Sequence, residues 1–292
     1  MPMTSPTTPL PCRRLFGRAL LLAPWAALAG CASPWPELPP GAGSSSARQR
    51  LRDSAEAHGA AAWAGLCDLN LAVDRLWLPD GGLAGPAQLR WLPGAGTMAI
   101  QTTGGEHRST TWRRRGSGDA ARSWRDGAPV AAPQALAAGA LQSDLYRLLW
   151  LGPVAVAESP GAVNWAEPET LDGRRCDHLH LALVPGLGEA TADRLSLFID
   201  RDEGRLRRLR VSLNGLGAAG GVAEIDVLEQ RRLHGVLWPT RCRAGAARGL
   251  GQAPAAWQLT GLDVNRGYGP AAIEGPAWSG LASAPPPPLP GD

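Results

Sequence analysis

The second half of the chain is a series of short segments in which apolar residues recur at every second position. This is true from Leu195 to Ile199 and again from Leu209 to Leu213, as in strands with one buried face. Between these segments, Asp202-Glu203-Gly204 has the composition of a tight hairpin turn. Strands joined by tight turns pair with their chain neighbours, so the pattern predicts an antiparallel meander and argues against βαβ units.

Hydrophobic periodicity predicts further elements along most of the chain. Leucines at three- and four-residue spacing predict a helix from Pro133 to Leu151, which Gly152-Pro153 would end. Ser44 to Ser46 precede a second predicted helix, Ala47 to His58, and can cap it. The predicted strands are Leu66–Trp77, Gln88–Leu92, Thr97–Thr102, Arg108–Arg113, His178–Val184, Arg194–Asp200, Leu206–Leu213, Val222–Glu229, Val236–Cys242 and Trp257–Asn265.

The N-terminal segment has the features of an export signal. Leu28-Ala29-Gly30-Cys31 ends a short apolar run that follows Arg13, Arg14 and Arg18. A basic start, an apolar run, small residues and a cysteine resemble a bacterial lipoprotein signal, which implies cleavage after Gly30 and acylation of Cys31. The run is shorter than the roughly 20 residues of a membrane-spanning helix. We therefore expect lipid anchoring to a membrane through Cys31.

The resemblance to lipoprotein signals also implies a location. Ala32 follows Cys31, where an aspartate is associated with retention in the inner membrane, so the expected location is the periplasmic side of the outer membrane. Arg13-Arg14-Leu15-Phe16 leaves both Sec and twin-arginine export open. The predicted organisation is a signal peptide at 1–30, a flexible tether at 31–46, one domain at 47–268 and a disordered Pro/Ala-rich tail at 269–292.

Charge and motifs restrict the function classes. The formal net charge is +3, and the leader contains three arginines and no acid, so the mature domain is neutral. A neutral domain has no electrostatic attraction for nucleic acid. The chain lacks Gly-x-Ser-x-Gly, Ser-x-x-Lys and His-Glu-x-x-His. We therefore expect neither an enzyme nor a nucleic-acid-binding protein, and no cofactor.

Two segments resemble a known superfamily. Asp193 to Leu213, with its acidic-glycine turn, is similar to the paired central strands of the lipoprotein-carrier (LolA/LolB-like) superfamily, and His234 to Thr240 is similar to a later strand that ends in Trp-Pro. The resemblance implies a mainly β fold with α-helices, in which helices cover an antiparallel, unclosed half-barrel. It also implies that the concave face holds an acyl chain of a lipid or lipoprotein.

Several bulky apolar residues are candidates for lining such a hollow. The chain has 12 tryptophans but only two phenylalanines and two tyrosines. Tryptophan fills cores as well as ligand cavities, so both roles stay open for each candidate. The candidate ligand-binding residues are Trp77, Trp91, Trp150, Leu197 and Trp238.

A second candidate site is a row of side chains on one predicted strand. Cys176, His178 and His180 alternate, so they share one face and have the ligand types of a zinc or copper site. The alternative is a solvated strand face with no metal. The cysteines of the mature domain are Cys67, Cys176 and Cys242, which allow one disulfide; Cys176–Cys242 is favoured, although spacing leaves all three pairings open.

Three functions follow from these patterns. The first is binding of an apolar ligand for transport or chaperoning of a lipid or lipoprotein. The second is a structural or assembly lipoprotein that binds another envelope protein, and the third is a metal-dependent enzyme. An apolar hollow of about 300 Å³ or more favours the first, and a filled core favours the second.

Overall fold

The structure is a computed structural model, and it describes residues 35, 43–79, 82–102, 107–115, 121–216, 221–245 and 254–278. The predicted signal peptide, Cys31, most of the tether and residues 279–292 lie outside these ranges. The predictions for those segments stay predictions.

Fifteen strands form in the described residues, and thirteen of them make one antiparallel sheet with the order β8-β7-β6-β5-β4-β1-β15-β14-β13-β12-β11-β10-β9. The remaining two, β2 and β3, pair as a separate hairpin. The strands are β1 Leu69–Val73, β2 Leu76–Trp77, β3 Leu83–Ala84, β4 Ala87–Leu92, β5 Thr97–Thr102, β6 Ser109–Arg114, β7 Arg122–Arg125, β8 Ala128–Val130, β9 Val163–Leu171, β10 Arg174–Leu183, β11 Asp193–Asp200, β12 Leu206–Ser212, β13 Val222–Leu233, β14 Val236–Ala244 and β15 Ala255–Val264.

The sheet does not close on itself. β8 and β9 are its two edges and do not pair with each other, so the predicted antiparallel, unclosed half-barrel is confirmed. Each edge strand carries a proline, Pro129 in β8 and Pro168 in β9. A proline offers no backbone N–H, so these residues hinder pairing of the edges with strands of other molecules.

In the part of the chain that the structure describes, three α-helices accompany the sheet: α1 (Ser45–Ala57), α2 (Ala60–Trp63) and α3 (Pro133–Leu151). The Ser44 hydroxyl accepts a hydrogen bond from the Ala47 N–H and caps α1. α3 has the bounds that leucine spacing predicts. Among the described residues, no helix has the length and apolar character needed to cross a membrane.

One continuous core joins the helices to the inner face of the sheet, which we define as the face that contacts α1 and α3. The inward leucines at alternate positions of β10, β11 and β12 are buried in it, as predicted. Trp63 of α2 lies between two strands, with its ring centroid 5.0 Å from that of Trp91 and 5.4 Å from that of Trp238. Burial of this apolar face is the main favourable term in folding.

A buried histidine attaches the end of α1 to the sheet. His58 Nδ1 lies 2.7 Å from the Ser54 carbonyl oxygen, to which it donates, and Nε2 accepts from the Leu206 N–H at 3.2 Å. The His58 carbonyl also accepts from the Leu237 N–H. Both ring nitrogens are used in the neutral form, and burial lowers the pKa of His58 to about 4.

The outer face of β4, β5 and β6 is covered by residues 266–278, which we call the C-terminal strap. Arg90 of β4 is buried, and its guanidinium lies 4.7 Å from the Tyr268 ring centroid and 4.9 Å from that of Trp278. Ile273 is fully buried beside Trp112. The structure therefore differs from the predicted disordered tail over residues 269–278, because these apolar and aromatic side chains find a surface to pack on.

The three cysteines of the described residues are free, so the favoured Cys176–Cys242 disulfide is wrong. Cys176 lies in β10 and Cys242 in β14, and three strands separate them in the sheet. Four strand spacings of about 4.8 Å place them roughly 19 Å apart along the sheet, whereas a disulfide needs Cα atoms within about 7 Å.

Acidification should destabilise the protein through His58. Its pKa is about 4 in the folded state and about 6.5 when unfolded, so the unfolded chain binds more protons between these values. The contribution of His58 to the free energy of unfolding is fully present above pH 6.5. It falls by about 3 kcal/mol as the pH drops towards 4. We expect urea denaturation between pH 7 and 4 to show a shallower decline for His58→Gln than for the wild-type protein, and equal slopes would contradict this role of His58.

The strap should contribute to stability. Ile273→Ala should lower the free energy of unfolding by about 2 kcal/mol or more, because it leaves a cavity beneath a fully buried side chain. Glu274→Ala removes only an exposed ion pair with Arg122 and should cost less than about 1 kcal/mol. Equal, negligible effects of the two variants in urea denaturation would show that the strap does not pack in solution.

Candidate functional site

The inner face of the sheet changes character at β6 and β7. Ser109 and Thr111 of β6 stand opposite Arg125 and Ser123 of β7, and these inward positions are polar where other strands have leucine or tryptophan. α3 approaches this surface closely, because a Cβ on Gly139 would lie 2.7 Å from the Thr111 methyl carbon. Short polar side chains cannot fill the remaining space beside the helix.

The result is a cleft of about 440 Å³ that opens to solvent between α3, the β2–β3 hairpin and strands β5 to β7. We call it the α3 cleft. Buried Leu76 and Ile100 supply apolar wall, and exposed His107 and Arg125 lie at the polar end. Its lining residues are Leu76, Leu78, Ala84, Gly85, Ile100, Thr102, His107, Ser109, Thr111, Arg125 and Gln142.

Hydrogen bonds fix the walls of the α3 cleft. The Tyr146 hydroxyl of α3 accepts from the Trp77 N–H at 2.8 Å and donates to the Trp77 carbonyl at 3.3 Å. The Gln142 amide donates to the same carbonyl at 3.4 Å. These contacts attach the β2–β3 hairpin to α3. Burial raises the pKa of Tyr146, so the hydroxyl stays protonated and keeps both roles.

Charge is distributed unevenly at the polar end of the α3 cleft. His107 Nδ1 lies 2.7 Å from the Asp126 carboxylate, which also accepts from the Arg108 N–H at 2.9 Å. The Arg108 N–H first, and then His107, lower the pKa of Asp126. Arg125 makes no side-chain hydrogen bond or ion pair with the residues that the structure describes. The polar end therefore presents a guanidinium with no hydrogen-bonded or salt-bridged partner among these residues, whose charge also helps to lower the pKa of Asp126.

Five residues are predicted to bind a ligand: Trp77, Trp91, Trp150, Leu197 and Trp238. None of these five lines the α3 cleft. All lie in the continuous core and are at most 3% exposed. Core packing is the other role that the tryptophan pattern allowed. The feature that indicates the cleft in the sequence is the replacement of leucine by Ser109, Thr111, Ser123 and Arg125 at inward positions.

The row formed by Cys176, His178 and His180 faces outward but is buried, so the prediction of a solvated strand face is wrong. His178 stacks on Phe198, with 4.2 Å between ring centroids, and His180 lies 5.7 Å from the Trp35 ring. Burial lowers the pKa of both histidines to about 4. No three His, Cys, Asp or Glu side chains in the described ranges are grouped to hold a metal ion, so the metal-site hypothesis gains no support.

A second groove, of about 370 Å³, lies between α1, α2 and the turn after α3. Alanines make much of its lining, and Arg52 and Glu158 form an exposed salt bridge of 3.3 Å at its rim. Inward-facing strand residues do not line it. The α3 cleft is therefore the better candidate for a ligand held by the half-barrel.

Comparisons with known proteins identify the fold. No protein-family model matches the chain, and no curated protein matches it. A DUF1329 family protein from Desulfovibrio piger matches over 78% of this chain and 96% of its own, with 15% identity and a TM-score of 0.51.

Two further solved structures are similar over 78% of this chain. An outer membrane lipoprotein-sorting protein domain from Vibrio parahaemolyticus is covered over 95% of its length, with 10% identity and a TM-score of 0.48. A LolA superfamily protein from Nitrosomonas europaea is covered over 96%, with 13% identity and a TM-score of 0.47. At such identities the likeness is one of fold alone. The strand order confirms the antiparallel, unclosed half-barrel expected from the sequence, and the DUF1329 family protein shares this fold.

Proposed function

We propose that this protein is a lipid-anchored envelope protein that binds an apolar chain in the α3 cleft, for transport or chaperoning of a lipid or lipoprotein. The α3 cleft carries the proposal, because it is an open space of about 440 Å³ between α3, the β2–β3 hairpin and the inner face of the half-barrel. Its volume lies within the range of small-molecule sites, about 300–1,000 Å³. The anchor would be Cys31, with the domain on the periplasmic side of the outer membrane.

The arrangement of the core limits where a ligand can lie. Around Leu197 and Trp238, helices and strands pack into one core without exposed apolar surface. A ligand there would have to displace packed side chains, at a cost of several kcal/mol. Beside β6 and β7 the space already exists, and Leu76 and Ile100 give it apolar wall.

A structural or assembly lipoprotein remains the second candidate. The continuous core favours it, since most of the inner face is filled by the protein's own side chains. In that case the α3 cleft would be a surface depression without affinity for apolar chains. Ligand binding to the cleft separates the two candidates.

Blocking the α3 cleft should abolish binding of an uncharged apolar probe. We expect N-phenyl-1-naphthylamine to gain fluorescence with the mature domain carrying Cys31→Ser, and expect Ser109→Trp to reduce its affinity at least tenfold by filling the cleft. Arg108→Trp adds the same indole at the neighbouring exposed position and should retain binding. If the two indole variants bind the probe equally, the cleft is not the site, and the assembly function is favoured.

The anchor has its own test. In the full-length protein, Cys31→Ser should remove the acylation site and move the folded protein from the membrane pellet to the soluble periplasmic fraction. Cys67→Ser alters an exposed thiol of the domain and should leave the protein in the membrane. Membrane retention of Cys31→Ser would contradict anchoring by lipid.

A further inference from the structure

We propose that the ligand of the α3 cleft is a single-chain amphiphile with an anionic head group, a carboxylate or a phosphate, and that Arg125 binds this head group. The inference rests on the proposed function and adds the chemical class of the ligand. It assigns a binding role to Arg125, an exposed residue of β7 at the polar end of the cleft.

Arg125 differs from other arginines of this part of the sheet in the described contacts of its side chain. On β7, Arg122 pairs with Glu274 at 2.5 Å, and on β6, Arg113 pairs with Glu189 at 2.7 Å. Within the described ranges, the Arg125 side chain forms no hydrogen bond or salt bridge, and its charge contributes to the lowered pKa of the neighbouring Asp126. A guanidinium without a carboxylate partner at the end of an apolar cleft is available to a ligand anion, with which it can form two parallel hydrogen bonds.

Among the described residues next to Arg125, the acidic neighbour is Asp126, and the Arg125 charge makes the smallest of the contributions that lower its pKa. None of the described lining residues is acidic. The neighbouring carboxylate, Asp126, lies in the β7–β8 turn, where it accepts from His107 and from the Arg108 N–H. Its φ of 52° and that of 84° at Gly127 place both residues in the left-handed region typical of a tight hairpin turn. Asp126 is thus engaged by other donors.

Hydroxyl groups extend the polar end towards the apolar wall. Ser109 stands directly opposite Arg125 in the sheet, and its hydroxyl lies 2.8 Å from that of Thr102. Both line the cleft, as do Leu76 and Ile100. A ligand anion on Arg125 could accept a further hydrogen bond from a hydroxyl, while its hydrocarbon chain contacts the apolar wall. This polarity gradient suits an amphiphile with a charged end.

The test uses four probes with one chain length: dodecanoate, dodecyl phosphate, dodecanol and dodecyltrimethylammonium. Isothermal titration calorimetry of the mature domain with Cys31→Ser, below each critical micelle concentration, gives the dissociation constants. We expect one or both anions to bind at least tenfold more tightly than dodecanol, and the cation to bind most weakly. The two anions distinguish a carboxylate from a phosphate head group.

Arg125→Gln should weaken anion binding at least tenfold and leave dodecanol affinity unchanged, because only the charged hydrogen bonds are lost. Arg122→Gln removes a charge from the same strand outside the cleft lining and should keep wild-type affinities. Thermal unfolding of both variants checks that the fold is retained. Equal binding of anions and dodecanol, or preference for the cation, would overturn the head-group assignment while supporting an apolar cleft. Absence of binding by all four probes would overturn the proposed function as well.

Discussion

The pairing of β1 with β15 is the interaction on which the sheet depends. β1 lies between β4 and β15, so it joins the strands of the first half of the chain to those of the second half. The register runs from Leu69 opposite Val264 to Val73 opposite Leu259. The Asp68 carboxylate then accepts from three backbone N–H groups of residues 266–268, which directs the C-terminal strap onto the outer face. Both halves and the strap therefore meet at β1.

The need to cover the apolar inner face determines where a ligand site can form. α1 and α3 lie on this face because alternate strand positions are leucine, and they fill it wherever those leucines occur. At β6 and β7 the inward positions change to Ser109, Thr111, Ser123 and Arg125, and the space beside α3 is not filled. The α3 cleft thus forms where the apolar packing of the inner face stops, near the β8 edge of the sheet.

Local patterns in the sequence predicted most of the elements, including both bounds of Pro133–Leu151 and of Thr97–Thr102. β9 was missed because Glu167-Pro168-Glu169 reads as a loop, although polar residues and proline suit an edge strand. Other failures concern distant segments. The strand order places Cys176 and Cys242 far apart, and Phe198 of the adjacent strand buries His178. Residue spacing along the sequence predicts neither result. The α3 cleft likewise depends on where α3 lies over the sheet.

The polar residues of the α3 cleft are not what stability alone would favour. Leucine at Ser109, beside the open space of the cleft, would stabilise the fold by about 1.5–3 kcal/mol on burial of its side chain. The chain instead places the Ser109–Thr102 hydroxyl pair and the Arg125 guanidinium in the lining of a cleft beside α3, whose Gly139 leaves just enough room for Thr111. Departures from good packing that leave a shaped space are characteristic of functional sites, where stability is exchanged for binding. The α3 cleft shows such a departure, whereas the core around Trp238 is filled by the protein's own side chains.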